Sequence, residues 1–210
     1  MPIVTKFEGI LKRERLKWYE YYSGIMKKIE NGVFPGRFQP MTLGHLAIVK
    51  KIVEEHQPAR LVVAIPKQKE TNRDNPFSAE QSVRIARVSL DEAGLGEVET
   101  ELVDMTDGLV RAWTRELRTH KIDAVFTGNQ RMSVLVNTLA AGLGVKTRAI
   151  CFGDGSIGNI RATDVRAGLA EQNDCWKNMV MPEAARYIDT LDINFNEIPE
   201  SRCKRFWQVK

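Results

Sequence analysis

Arg37, Thr42 and His45 stand close together in the stretch Gly36-Arg37-Phe38-Gln39-Pro40-Met41-Thr42-Leu43-Gly44-His45. An arginine offers a planar fork to phosphate oxygens. A hydroxyl and an imidazole three residues apart can both face one anion from the first turn of a helix. The setting suits them. The apolar run Gly32-Val33-Phe34 precedes the stretch, and Leu46-Ala47-Ile48-Val49-Lys50-Lys51-Ile52-Val53 follows it with helical periodicity. This reads as strand, glycine turn, helix. A helix that begins there aims its free backbone N–H groups and the positive end of its dipole at the turn, which makes a phosphate site. Gly36 would let the backbone approach a ligand closely.

A second pair with the same chemistry is Thr163 and Arg166, three residues apart at an expected helix start. Alone, it reads equally as an ordinary capped helix with a surface arginine. Lys67 and Lys69 follow an expected strand and either reach a polyphosphate or are simply solvated. Asn75, before Pro76, either hydrogen-bonds a ligand or forms a turn. Trp113, between Arg111 and Arg115, either stacks on a flat ring or fills a core. His56 and His120 read as helix-end surface residues. No G-x-S-x-G, no G-x-x-x-x-G-K-[ST] and no metal-ligand spacing occurs among the three histidines and three cysteines.

The elements that must hold these groups alternate. A strand is expected at 32–35, a helix at 44–56, and a strand at 60–65 ended by Pro66. Ser78-Ala79-Glu80-Gln81 is a capping box opening a helix to about Ala93. A strand at 98–103, a helix at 109–119, and a strand and turn at 123–128 follow. Then come a helix at 131–142 ended by Gly142, a strand at 145–151, a glycine loop at 153–158, and helices from Thr163 and Pro182. Alternation with short links implies a parallel sheet covered on both faces. Its ligands bind at the carboxyl ends of the strands. The opening turn, the 66–77 loop, Gly128 and the 153–162 loop all follow strands, so they should share one end of the sheet.

The 210 residues allow one domain with a sizeable core plus an appendage. No apolar run approaches the ~20 residues of a membrane helix. The basic N-terminus has no secretory pattern. Cys151, Cys175 and Cys203 read as reduced thiols of a cytoplasmic protein. The net charge of +4 suits small phosphorylated substrates and gives little support for nucleic-acid binding. Residues 1–31 place Phe7, Ile10, Leu11, Trp18, Tyr22, Ile25 and Ile29 at roughly helical spacing. They are expected to form helices packed on the domain or on a neighbouring subunit. Residues 32–190 form the expected domain, and 191–210 a tail.

The decapeptide resembles the T/H-x-G-H mark of the nucleotidylyltransferase superfamily. Its form Gly36-Arg37-Phe38-Gln39-Pro40 with Gly44-His45-Leu46 is similar to the archaeal-type nicotinamide mononucleotide (NMN) adenylyltransferases. Asn75-Pro76-Phe77-Ser78-Ala79, Val125-Phe126-Thr127-Gly128-Asn129, the stretch Ile160 to Arg166, and Trp176 through Pro182 resemble later segments of that family, in its order. Thr42 stands where the archaeal type usually has histidine, Arg161 where it has serine, and Ser82 where it has arginine, with Arg84 two residues on. The resemblance implies a Rossmann-like doubly wound parallel α/β sheet, here with an N-terminal helical extension. It implies adenylyl transfer from ATP to the 5′-phosphate of NMN. His45, Thr42 and Arg166 would be catalytic. Gly36, Arg37, Phe38, Gln39, Gly44, Gly128 and Thr163 would bind ATP. Asn75, Trp113, Arg84 and Lys69 would bind the acceptor, NMN or nicotinic acid mononucleotide. Mg²⁺ would ride mainly on the ATP phosphates, with no metal site on the protein. The family tendency is to homo-oligomers. Two rivals stay open: a sister enzyme that adenylylates or cytidylylates another phosphate monoester, and a nucleotide-binding regulator that has lost catalysis.

Overall fold

In a computed structural model, the structure describes residues 28–67, 70–152, 160–191, 193–195 and 198. The expected N-terminal helices, Lys69, the glycine loop at 153–158 and most of the tail lie outside the described residues. Five strands form one parallel sheet: β1 (Asn31–Pro35), β2 (Arg60–Lys67), β3 (Glu99–Asp104), β4 (Ala124–Thr127) and β5 (Arg148–Cys151). Among the described residues, six α-helices connect or follow them, α1 (Leu43–His56), α2 (Ala79–Glu92), α3 (Leu109–Thr119), α4 (Gln130–Leu143), α5 (Ala162–Ala170) and α6 (Pro182–Asp189), with a short 3-10 helix at Asp174–Met179.

The strand order is β3-β2-β1-β4-β5. The chain therefore winds outward from β1 in one direction, then restarts on the other side at β4. That reversal opens a crevice between the carboxyl ends of β1 and β4, the place where such sheets bind ligands. Alternating side chains feed two cores. Phe34, Leu61, Val63, Ile65 and Phe126 pack with α1, α2 and α6 on one face. Val33 and Val125 pack with Trp113 and Leu117 of α3 and Val136 of α4 on the other. Leu61 to Ile65 are buried without interruption, as a central parallel strand requires.

Three boundaries differ from expectation. Pro66 does not end β2, which continues to Lys67 opposite Asp104. The Gly36 N–H donates to the Ala64 carbonyl, so residue 64 turns its polar groups toward β1. Pro66, two residues on, turns its nitrogen the same way, past the point where β1 stops at Pro35. Its missing N–H has no partner to lose there. Gly142 does not end α4. The helix runs to Leu143, and Gly144, at φ +66°, forms the left-handed cap. The Val145 N–H is spent on Ala140 in that cap, which delays β5 to Arg148.

Candidate functional site

The turn after β1 is held from inside. Phe38 has a left-handed φ of +47°, and its buried ring lies edge-on to Phe34 and to His45, with centroids at 5.5 and 5.1 Å. A Cβ on Gly36 would stand 2.6 Å from the Phe38 ring. Glycine is thus required at 36 first by packing within the turn. Phe38, expected at the nucleotide, is instead a core residue whose ring seats His45.

Thr42 is the N-cap of α1 and builds a capping box with His45 at the third helical position. The His45 N–H donates to Thr42 Oγ1, and the Thr42 N–H donates to His45 Nδ1 at 3.0 Å. Thr42 is fully buried. The expectation that its hydroxyl faces an anion beside His45 is therefore corrected: it orients His45. Because Nδ1 accepts a backbone N–H, the neutral ring carries its proton on Nε2, the free end. Burial pushes the His45 pKa down to about 4. The neutral Nε2–H donor is the form present near pH 7.

Arg166 comes to the same turn from α5. Its Nη1 donates to the Gln39 carbonyl at 2.8 Å, and its Nη2 to Thr163 Oγ1 at 3.3 Å. The side chain is only 9% exposed, yet it makes no ion pair among the described residues. Burial, and next the neighbouring Arg37 charge, push its pKa below the ordinary arginine value, with Asp74 and Asp164 opposing. Arg37 is exposed and has no hydrogen bond or ion pair among the described residues. Two guanidiniums thus stand near one another at a helix mouth, one buried against neutral partners only. A buried cation whose direct hydrogen-bond partners are all neutral is costly unless an anion visits.

Thr163 does not cap α5. The N-cap is Arg161, without a side-chain capping bond, and Thr163 lies inside the first turn, holding Arg166. Gly44 is buried in the first turn of α1. Gly128 follows β4, and a Cβ there would meet nothing within 4 Å. Asn129 caps α4 by accepting from the Arg131 and Met132 N–H groups.

Gln39 departs most from expectation. It is 2% exposed. Its Nε2 donates to the Phe77 carbonyl (3.1 Å) and to Ser82 Oγ (2.8 Å), and its Oε1 accepts the Phe77 N–H (3.0 Å). The side chain is committed to the protein rather than to a nucleotide. Asn75 sits in a turn closed by reciprocal backbone bonds with Asn72. Its Nδ2 donates to Asn72 Oδ1, and its Oδ1 is buried with no donor among the described residues.

Two candidates are not brought to the turn. Arg84 is exposed and lies over the Tyr187 ring of α6, 5.9 Å from its centroid. Trp113 is 2% exposed in the second core, so its ring faces are already covered. It lines a cavity of about 280 Å³ over Val33, Val62, Ala64 and Val103, which includes none of the turn residues. His120 pairs with Glu116, as an exposed helix-end residue does. His56 is half-buried against Phe126 and Phe152, closer to the core than expected. The role of Gln39 escaped sequence reading because its partners lie 38 and 43 residues away. The buried Ser82 was its one trace, as an unexplained loss of an expected cation.

Comparison with known proteins fits this arrangement. A family model described as cytidylyltransferase-like matches residues 33–168. A nicotinamide-nucleotide adenylyltransferase of Ignicoccus hospitalis is 32% identical over 164 residues, covering 77% of this chain and 92% of that protein. Nicotinamide-nucleotide adenylyltransferase 1 of Sulfolobus acidocaldarius is 28% identical over 160 residues, covering 74% and 87%. A crystal structure of a bifunctional NMN adenylyltransferase/ADP ribose pyrophosphatase from Francisella tularensis shares the fold, with a TM-score of 0.62 at 20% identity. It aligns with 80% of this chain, which spans 51% of that protein. The β1 turn, the β4 end and the start of α5 all lie within the matched span, and the chain belongs to the cytidylyltransferase-like family as an enzyme of the nucleotidyltransferase type.

Proposed function

We propose that the protein transfers the adenylyl group of ATP to the 5′-phosphate of NMN, giving NAD and pyrophosphate in the cytoplasm. The observation that carries this reading is Arg166, a buried guanidinium with neutral partners only, beside Arg37 and the mouth of α1. The relatives named above supply the substrate pair.

In this reading the NMN phosphate attacks the α-phosphorus in line and pyrophosphate leaves. The reaction needs positioning and charge neutralisation more than a covalent nucleophile. His45 Nε2–H donates to the α/β bridge region as charge builds there. Arg37 and the N–H groups of the first turn of α1 around Gly44 hold the triphosphate, with Gly36 shaping the turn. Arg166 grips the β/γ end, with Thr163 steadying it. Gly128 leaves room for the nucleotide at the end of β4. Asn75 Oδ1, an unused acceptor, takes a hydroxyl or amide donor of the second substrate, and Lys67 and Lys69 draw its phosphate. The groups at the turn are cationic or neutral, and no cluster of three His, Cys, Asp or Glu side chains suited to a metal occurs among the described residues. These residues would leave a divalent cation to the ATP phosphates, and it would supply charge neutralisation there.

Ser82 and Arg161, which stand where the archaeal-type family has arginine and serine, keep a second reading open. In it the sister activity, on another phosphate monoester, applies. Incubation with Mg²⁺ and ATP or CTP, together with NMN, nicotinic acid mononucleotide, phosphopantetheine or a polyol phosphate, separates the two. Pyrophosphate release with ATP and NMN supports the first reading. Release only with another acceptor replaces it, and nucleotide binding without release with any acceptor points to a regulator.

A further inference from the structure

Gln39 occupies a junction rather than a binding surface. Its main-chain carbonyl accepts the Arg166 guanidinium, which belongs to the triphosphate side of the site. Its side-chain amide pairs with both backbone groups of Phe77 and with Ser82 Oγ, at the entry to α2. The orientation of that amide is fixed, because the Phe77 N–H must meet an oxygen. Ser82 Oγ in turn donates to the Ser78 carbonyl, so the clamp reaches the N-cap of α2.

Upstream of Phe77, local bonds between Asn72 and Asn75 give the segment 72–75 a defined turn. The Asn72 and Asn75 backbones bond each other reciprocally, at 3.0 and 2.8 Å. Asn72 Oδ1 also accepts from the Asp74 N–H and the Asn75 N–H. What joins this turn to the β1 turn by direct hydrogen bonds is the adjoining Phe77. Pro76 is stiff and Phe77 is fully buried, so the Gln39–Phe77 pairing places one turn against the other.

We propose that Gln39 is a positioning residue that sets the Asn72–Phe77 segment, and with it the acceptor half of the site, at a fixed distance from the triphosphate half. This deepens the proposed reaction and rests on that reading. Ser82 then has a positive role: it completes a buried clamp at a place where a longer side chain would displace the Gln39 amide.

Gln39→Met tests this, since it keeps length and apolar volume, removes all three side-chain bonds, and leaves the Arg166 carbonyl contact intact. A slight displacement of a positioned group can cost up to ~10²-fold. The expected result is a KM for NMN raised about tenfold or more with the KM for ATP within about twofold. Ser82→Ala removes one bond of the three and should show the same split, smaller. It provides the test if Gln39→Met does not fold. Equal rises in both KM values, or no change in either, for whichever variant folds, overturn the proposal. Failure of the functional reading looks different. The wild type then turns over another acceptor, whose KM replaces that of NMN in the same comparison. If it turns over none, calorimetric dissociation constants for ATP and for each phosphate monoester are compared between wild type and variant. A selective loss of monoester binding supports the proposal. Unchanged monoester binding, or none even to the wild type, overturns it.

Discussion

His45 shows how much one side chain is asked to do. As the third residue of α1 it accepts from the Thr42 N–H, and as a buried neutral imidazole it offers Nε2–H outward. These two duties separate experimentally. His45→Ala is expected to lower kcat by ~10²–10⁴ with a smaller loss of ATP binding, the scale of losing one preorganised donor. Near-normal turnover in steady-state assays would remove His45 from the mechanism. His45→Gln keeps the capping box, because glutamine is itself a standard residue at that helix position. It isolates the titration. The unfolded histidine titrates near 6.5 and the folded one near 4. Between those values the unfolded chain binds the extra proton, so stability falls as pH drops from about 6.5 toward about 4, and His45 adds no slope above that window. The loss is at most about 3 kcal/mol. Denaturant melts of wild type and His45→Gln should therefore diverge on acidification and run parallel above pH 7. Parallel curves throughout would mean that the folded imidazole is not held neutral.

At the scale of elements, the two helices that open on the site are capped in opposite ways. α1 starts with a complete capping box, whereas α5 starts with Arg161, a cation at the positive end of a helix with no capping bond. That arrangement costs stability until an anion arrives. Arg161→Ser should raise the stability of the nucleotide-free protein by ~0.5–2 kcal/mol. In this size range that is a gain of a few degrees in Tm, on the order of 2–4 °C per kcal/mol. ATP affinity should fall in the same variant, a trade of stability against function. A lower nucleotide-free Tm with unchanged ATP affinity would contradict the argument. This helix also shows what sequence reading can reach. The capping box at Ser78–Gln81 and the span of α3 are local patterns and were legible residue by residue, whereas the box at Thr42–His45 was read as a pair facing an anion. The N-cap of α5 was misplaced by two residues because Thr163 has the right chemistry for a cap but is spent on Arg166. Likewise Gly142 and Gly144 look equivalent in sequence, and only the backbone φ separates them.

At the scale of the whole molecule, the parallel sheet followed from alternation of elements. Strand order did not, because periodicity within a segment carries no information about its neighbour in space. The reversal between β1 and β4 is what brings the Gly36 turn, Gly128 and the start of α5 around one crevice. Arg84 and Trp113 lie away from the β1 turn for the same reason: one faces α6, and the other supports the opposite core. A crevice that ties β1, α1 and α5 together couples nucleotide binding to global stability. At a hundred times its dissociation constant a ligand adds ~2.7 kcal/mol. Mg²⁺-ATP should therefore raise the wild-type Tm by about 5–10 °C. Arg166→Met removes a buried cation that has no carboxylate partner among the described residues, together with its donors to Gln39 and Thr163. Relief of desolvation and of the repulsion from Arg37 opposes the lost hydrogen bonds. The nucleotide-free Tm should thus stay level or rise, while most of the Mg²⁺-ATP shift disappears. Calorimetric scans of both proteins, with and without Mg²⁺-ATP, decide the matter. A variant that melts several degrees lower yet keeps the full nucleotide shift would show that Arg166 is a structural strut and not the anion-binding group of the crevice.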